Sequence, residues 1–196
     1  MRMKRITLTV FLALSGICAA GEMIWVDSKS GQPPSDGVIS GRYVQKGKPR
    51  YDGGCLLRVE FIPRAASGAA DSWKTAGIGL MSDDGNGWRL NLVESPSAQG
   101  NRHSVEMKPV VNGRWGKIEQ VIEQRNPNLN WSYGRPYRLL LGVEPSSRTI
   151  MGKVQDGEGN TQASFICKLS APFPRSYPVI LMTGIEGKLV DSEIVP

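Results

Sequence analysis

The chain has 196 residues, a length that corresponds to one domain. Hydrophobic residues make up 40% of it and charged residues 21%, a globular composition that excludes a disordered or fibrous chain. Its 23 glycines and 13 prolines favour short strands joined by turns over a helical bundle. The single histidine, His103, excludes a histidine-rich metal site and any mechanism that needs two histidines.

The first twenty residues have the pattern of a secretory signal peptide. Basic residues at positions 2, 4 and 5 precede the apolar run Ile6–Ala20, which ends in Cys18-Ala19-Ala20. We expect residues 1–20 to be removed and residues 21–196 to form a single domain, exported to the periplasm, the cell surface or the medium. A short N-terminal anchor is the alternative. No later segment is apolar enough to span a membrane.

Removal of residues 1–20 also changes the charge of the chain. The net charge of +6 falls to +3, because three basic residues lie in that segment. The remaining basic residues are scattered singly, so nucleic acid is not an expected partner. Two cysteines remain, Cys55 and Cys167, and an even number in an oxidising compartment predicts one disulfide. Two separate buried thiols are the alternative.

Alternating apolar and polar residues predict strands along most of the chain. The clearest is 56–62, where Leu57, Val59 and Phe61 share one face. Turns at 83–87, at Asn112-Gly113 and at 156–160 indicate hairpins. After a first strand near Trp25, the predicted strands are 56–62, 76–82, 88–93, 103–110, 114–124, 137–144, 149–155, 161–169, 179–183 and 188–195. Residues 114–124 also fit a helix, because Ile118, Val121 and Ile122 have helical spacing.

About eleven short strands without a confident helix predict an all-β, antiparallel two-sheet sandwich. Five segments in this order resemble the concanavalin A-like lectin and glucanase jelly rolls, a superfamily with laminin-G-like and exported bacterial members. The resemblance covers roughly residues 24–195 and implies a jelly-roll fold in which a structural calcium is possible. No other cofactor is expected, and turn formation accounts for the acidic residues at 83–87 and 156–160. The five segments are Trp73–Leu80, Gly87–Leu92, Pro136–Val143, Asp156–Gly159 and Gly187–Val195.

Some glucanases of this superfamily carry their carboxylates on one strand as Glu-x-Asp-x-Glu. Here Glu119 and Glu123 keep the outer spacing, but Val121 stands where the pattern has Asp. On a regular strand, residues four apart are separated by roughly 13 Å. The paired carboxyls of glycosidases lie about 5–5.5 Å apart for retention and about 6.5–9.5 Å apart for inversion. We therefore expect a non-catalytic domain, with glycoside hydrolysis by these two glutamates as the less favoured alternative.

Polar and aromatic residues that alternate with the apolar ones suit sugar binding. An aromatic ring stacks on the C–H face of a sugar, and planar polar groups bridge its hydroxyls. Trp88 shares a side with Leu90 and Leu92, and His103 with Val105 and Met107, so both are expected to pack inward. The predicted partner is a glycan or glycoconjugate; the alternative is a structural module that contacts another exported protein. The candidate ligand-binding residues are Arg89, Asn91, Trp115, Trp131 and Arg138.

Overall fold

The computed structural model describes residues 23–52, 54–118 and 120–195. Twelve strands are present in this part of the chain, together with two short 3-10 helices at Ser35–Gly37 and Ser97–Gln99. The strands are β1 (Trp25–Asp27), β2 (Val38–Gln45), β3 (Cys55–Ala66), β4 (Lys74–Met81), β5 (Gly87–Glu94), β6 (His103–Val111), β7 (Arg114–Trp115), β8 (Gln120–Arg125), β9 (Tyr137–Glu144), β10 (Thr149–Asp156), β11 (Thr161–Lys168) and β12 (Tyr177–Val195).

All strands belong to one antiparallel sheet that folds over on itself into two layers. The main strand order is β7-β6-β5-β4-β12-β3-β9-β10-β11-β8, and β2 pairs with β1 and with β12. Strand β12 joins the layers, because its first part, 177–183, pairs with β4 and its last part, 185–195, pairs with β3. We call β4 to β7 and the first part of β12, with β1 and β2, the first layer. The second layer is β3, β8 to β11 and the last part of β12.

The core lies between the two layers and follows the alternation of the sequence. Leu90 of β5 and Leu139 of β9 have no exposed surface. A Cβ atom added to Gly152 of β10 would lie 3.2 Å from Leu90 Cδ1 and 2.7 Å from Met107 Sδ, so the layers pack closely at this point. Trp25 and Trp88 are buried as predicted. The predicted all-β two-layer architecture is therefore confirmed.

Several strand boundaries differ from the sequence prediction. The predicted strand 114–124 is two strands at opposite ends of the sheet, β7 beside β6 and β8 beside β11. The strands predicted at 179–183 and 188–195 form one continuous strand, β12, and β2 was not predicted. Pro63 does not end β3, since its partner Gly187 continues the pairing toward Ala66.

The predicted disulfide is absent, and Cys55 and Cys167 are free, buried thiols. Cys55 pairs with Val143, Val143 with Ile150, and Ile150 with Cys167, so three strand spacings separate the two cysteines. Three spacings amount to roughly 14 Å, whereas disulfides join Cα atoms about 4.4–6.8 Å apart. Burial raises the pKa of each thiol to about 11.

The predicted signal peptide, residues 1–20, lies outside the described residues. In the part of the chain that the structure describes, no helix has the length and apolar character needed to cross a membrane.

Candidate functional site

A pocket of about 340 Å³ lies on the outer face of the first layer, the face turned away from the core. We call it the Trp115 pocket. Strands β2, β4, β5, β6, β7 and β12 contribute to it. Its polar and aromatic lining is Arg42, Arg89, Arg114 and Trp115, and its apolar lining includes Met81, Val110 and Leu181.

Two hairpin turns hold Trp115 in place. Asn112 and Gly113, at φ 50° and 74°, form the tight turn that joins β6 to β7, as the Asn-Gly pair predicted. The Asn112 backbone N–H donates to Asn86 Oδ1 at 2.8 Å, and the Gly113 N–H donates to the Gly85 carbonyl at 3.0 Å. Because the turn before β5 thus binds the turn before β7, the indole ring projects from a fixed backbone while remaining 49% exposed.

Arg89 and Asn91 form the polar base of this face. Arg89 Nη2 donates to Asn91 Oδ1 at 3.0 Å, and the Arg89 Cζ atom lies 4.7 Å from the centre of the Trp115 ring. The stacking is a cation–π contact that orients both side chains. Asn91 is fully buried. Arg89 Nε and Asn91 Nδ2 are also buried, and neither finds an acceptor among the described residues.

Two glycines of β4 make room for these side chains. Gly77 pairs with Asn91 and Gly79 pairs with Arg89. A Cβ atom at Gly79 would lie 3.1 Å from Arg89 Cγ, and one at Gly77 would collide with Asn91 Oδ1 and the Leu90 carbonyl. The absence of side chains at Gly77 and Gly79 therefore lets Arg89 and Asn91 lie along the surface of the sheet.

Arg42 completes a strongly positive pocket. It projects from β2, and its Nη2 donates to Tyr177 Oη of β12 at 2.9 Å. Burial, together with the charge of Arg42, lowers the pKa of Arg89 to about 10. Arg89 therefore remains charged at neutral pH, and the two guanidinium groups repel each other across the pocket.

The predicted site residues do not all meet. Arg89, Asn91 and Trp115 come together as described, but Arg138 lies on β9, on the outer face of the second layer. There its Nη2 and Nε donate to Glu60 Oε2 at 2.7 and 3.1 Å, which neutralises both charges. Arg138 is therefore separated from Trp115 by the whole thickness of the sandwich.

Trp131 does not project from its loop. Its side chain is 1% exposed, and its indole N–H lies 3.1 Å from the carbonyls of both Val93 and Ser104. The ring stacks on His103 at 4.0 Å between centres. The prediction that Trp131 contacts a ligand is wrong, because the loop folds inward and uses the ring to close the end of the core. His103 is partly buried, as predicted.

A buried ionic cluster lies next to this stack. Glu94 accepts a hydrogen bond from Lys74 at 2.5 Å and one from Tyr133 at 2.5 Å, and His103 Nε2 lies 3.3 Å from it. Burial alone would raise the pKa of Glu94, but the bonds from Lys74, Tyr133 and His103 outweigh burial and lower it. Every member contacts another member, so the cluster fastens β4, β5, β6 and the loop before β9 together.

The structure describes one of the two glutamates that the hydrolase alternative needs. Glu119 lies outside the described residues, and Glu123 projects from β8 in a surface ion pair with Arg125 at 2.8 Å. Strand β8 is the far edge of the second layer. Among the described residues, no three His, Cys, Asp or Glu side chains cluster in a way that suits a metal ion.

Sequence reasoning missed Arg42, Arg114 and Tyr177. Arg114 adjoins Trp115 and follows the Asn-Gly turn, so the predicted hairpin could have placed it on the pocket rim. Arg42 and Tyr177 belong to β2 and β12, which reach the site through long-range pairing. The local signal in the sequence is the Gly-x-Gly at 77–79. Two glycines on one face of an otherwise uninterrupted strand indicate that side chains of a neighbouring strand lie across them.

No protein-family model matches the chain, and no curated protein matches its sequence. Solved structures share its fold at low identity. A carbohydrate-binding module, CBM66 from Bacillus subtilis, has a TM-score of 0.54 at 12% identity, over 89% of this chain and 92% of that one. Lectin II from Ulex europaeus has a TM-score of 0.51 at 8% identity, over 89% and 92%.

A further match is tailspike protein 2 of an Escherichia coli O157:H7 bacteriophage, with a TM-score of 0.60 at 15% identity. It covers 91% of this chain but only 26% of that protein, so the likeness concerns one part of the tailspike. The chain thus has an all-β jelly-roll fold of the kind found in lectins and carbohydrate-binding modules.

Proposed function

We propose that this chain is a non-catalytic carbohydrate-binding module that holds a glycan or glycoconjugate in the Trp115 pocket. The observation that supports it best is the pairing of Trp115 with Arg89 at the opening of the pocket. The indole ring is half exposed and offers a flat apolar surface to a sugar ring. Arginine supplies several hydrogen-bond donors in a fixed plane beside it.

The fold adds support of a different kind. Both a lectin and a carbohydrate-binding module share it, over nine-tenths of this chain and of their own. Fold alone does not determine function, so the proposal depends on the pocket and the fold together. A concanavalin A-like relationship, as the sequence resemblance implies, is part of the proposal.

The test is binding to a broad glycan array, followed by calorimetry with the best ligand. We expect Trp115→Ala to weaken binding at least tenfold, because the exposed ring is the main stacking surface. Trp73→Ala is the matched control, since Trp73 is 52% exposed but does not line the pocket. Equal affinities for the wild type and Trp115→Ala would reject the proposed site, and a blank array with folded protein would reject the function.

Binding is expected to be independent of calcium. The polar groups that line the Trp115 pocket are guanidinium groups, which bind oxygen directly and need no bridging metal. Calorimetry in the presence of EDTA and of added calcium should therefore give the same dissociation constant. A loss of binding in EDTA that calcium restores would point to a metal-dependent site elsewhere.

Export is a separate proposal, based on the pattern of residues 1–20. Mass spectrometry of the protein recovered from its native compartment should show an N-terminus near residue 21. Retention of Met1 in the mature protein would contradict it.

A further inference from the structure

The Trp115 pocket has an excess of positive charge that no acidic side chain among the described residues neutralises. Arg42, Arg89 and Arg114 line it, and among the described residues that line it none is acidic. Within the part of the chain that the structure describes, none of the three arginines forms an ion pair. The contacts that Arg42 and Arg89 make are with neutral groups, Tyr177 for Arg42 and Asn91 and Trp115 for Arg89, and the residue opposite Arg89 on β6 is another cation, Lys108.

Several other arginines do have a counter-charge. Arg58 lies 2.9 Å from Asp191 and 3.1 Å from Glu193, and Arg138 lies 2.7 Å from Glu60. Arg50, in the segment between β2 and β3, lies 2.6 Å from Asp83. Arg64 of β3 also has no ion pair among the described residues, but it is a single exposed residue, whereas the Trp115 pocket brings three such arginines together. On the same outer face, Glu106 lies beside Asn91 and is already paired with Lys108 at 3.0 Å.

The polar groups of the pocket also differ from those that suit a neutral sugar. A hydroxyl both donates and accepts, so neutral sugars are best held by a mixture of donors and acceptors. Guanidinium groups only donate, and the acceptor Asn91 Oδ1 is already bonded to Arg89. Tyr177 Oη likewise accepts from Arg42. The pocket therefore presents donors, and its matching group is one that only accepts.

We propose that the Trp115 pocket binds an acidic saccharide, with a carboxylate or sulfate of the sugar between Arg42 and Arg89 and the sugar ring against Trp115. This inference rests on the proposed function and specifies its ligand class. Two guanidinium groups bind an oxyanion through several charge-assisted hydrogen bonds. The anion removes the repulsion between the two arginines, and Arg114 at the exposed rim adds to the attraction.

The experiment compares matched acidic and neutral sugars by calorimetry at constant ionic strength. One pair is an oligogalacturonate and its methyl ester, and the other is a sulfated oligosaccharide and its desulfated form. We expect the acidic member of at least one pair to bind at least tenfold more tightly. Which pair shows the difference tells a carboxylate from a sulfate.

Variants test whether the preference for acidic over neutral sugars arises in the Trp115 pocket. Arg42→Gln and Arg114→Gln change exposed side chains, and the first should reduce the acid preference at least fivefold. Arg125→Gln is the matched control, because it removes the same charge from an exposed residue at the edge of the second layer. An unchanged preference in Arg42→Gln would overturn the inference.

The remaining outcomes separate the two proposals. Equal binding of the acidic and neutral sugars overturns the inference and leaves the carbohydrate-binding function in place. No binding of any sugar, on these pairs or on the array, overturns both. A single-stranded oligonucleotide that binds more tightly than every acidic sugar also overturns the inference, because it would show a preference for phosphate polymers.

Discussion

Arg89 illustrates how one residue links the stability of this protein to its binding. A partly buried cation whose hydrogen-bond partner is neutral costs free energy, because burial and the charge of Arg42 disfavour its ionised form and no carboxylate among the described residues offsets that cost. Such a residue is expected where binding and stability make opposite demands. Replacing it with an apolar side chain of similar length removes the charge and keeps much of the packing.

We therefore expect Arg89→Met to change the free energy of unfolding by no more than about 1 kcal/mol, because removal of the buried charge offsets the loss of the hydrogen bond to the buried Asn91 Oδ1. Ligand binding should fall at least tenfold in the same variant. Urea denaturation and calorimetry measure the two effects. Arg58→Met is the control: it leaves Asp191 and Glu193 without their cation and should lower stability. A similar loss of stability in both variants would contradict this account of Arg89.

Glu94 shows the opposite case, a buried charge with all of its partners present. The side chains of Glu94 and Lys74 are 6% and 5% exposed, so the removal of one charge strands the other. We expect Glu94→Gln to lower the free energy of unfolding at neutral pH by about 3–5 kcal/mol. Glu123→Gln, in the exposed pair with Arg125, should cost less than about 1 kcal/mol.

The loss of stability in Glu94→Gln should also depend on pH. The pKa of Glu94 is below its usual value of 4.5, so the ionised carboxylate stabilises the fold above that value. That contribution disappears as the pH falls through the lowered pKa, because the wild-type carboxyl is then protonated. The difference between wild type and Glu94→Gln should thus be constant from pH 5 to 7 and shrink below about pH 4. A constant difference down to pH 3 would show that the ion pair does not contribute.

At the scale of the element, strand β4 leaves space for the Arg89 and Asn91 side chains because of its glycines. Gly77→Ala adds a methyl group against Asn91 and the backbone of β5, neither of which can move without disturbing the sheet. We expect it to lower the free energy of unfolding by about 1–3 kcal/mol and to weaken ligand binding by displacing Arg89. Thr75→Ala, on the same strand and face, only removes atoms and should leave binding unchanged. Wild-type affinity in Gly77→Ala would show that the position of Arg89 does not depend on the space at Gly77.

Most hairpin strands were predicted well, even those with an internal glycine such as β9 and β10, whereas β2 was missed and β12 was divided where glycines hide the alternation. In β2, Ile39 and Tyr43 are buried, but Gly41, at φ 96°, stands where a third apolar residue would complete the pattern. In β12, Gly184 and Gly187 interrupt the pattern, although the strand continues from its pairing with β4, which ends at Thr183, to its pairing with β3, which begins at Ile185. At 114–124 the pattern is continuous but the chain changes layers, a choice that depends on strands distant in sequence.

At the scale of the whole molecule, the candidate site was predictable only where it is local. Arg89, Asn91 and Trp115 follow from alternation on two neighbouring hairpins. Arg42 arrives through β2, whose place beside β12 is fixed by long-range pairing. Arg138 was assigned to the wrong face because alternation predicts that a side chain lies outside the core but not to which of the two layers it belongs.

The two layers are expected to unfold together, since β12 runs through both and they share one core. Tryptophan fluorescence reports mainly on the first layer, against which Trp131 also packs, and the two buried cysteines report on the second. Trp25, Trp88 and Trp115 lie in the first layer, whereas Cys55 and Cys167 lie in the second and, with pKa values raised to about 11 by burial, are unreactive when folded.

In a Cys18→Ser variant titrated with urea, tryptophan fluorescence and thiol reactivity toward a disulfide reagent should therefore change with the same midpoint. Two thiols should react once the protein is unfolded, without a reductant, because Cys55 and Cys167 are not bonded to each other. If the thiols react at a lower urea concentration than the fluorescence change, the second layer opens alone and β12 does not couple the layers. If no thiol reacts in the unfolded chain, the two cysteines are joined and the strand order between them is wrong.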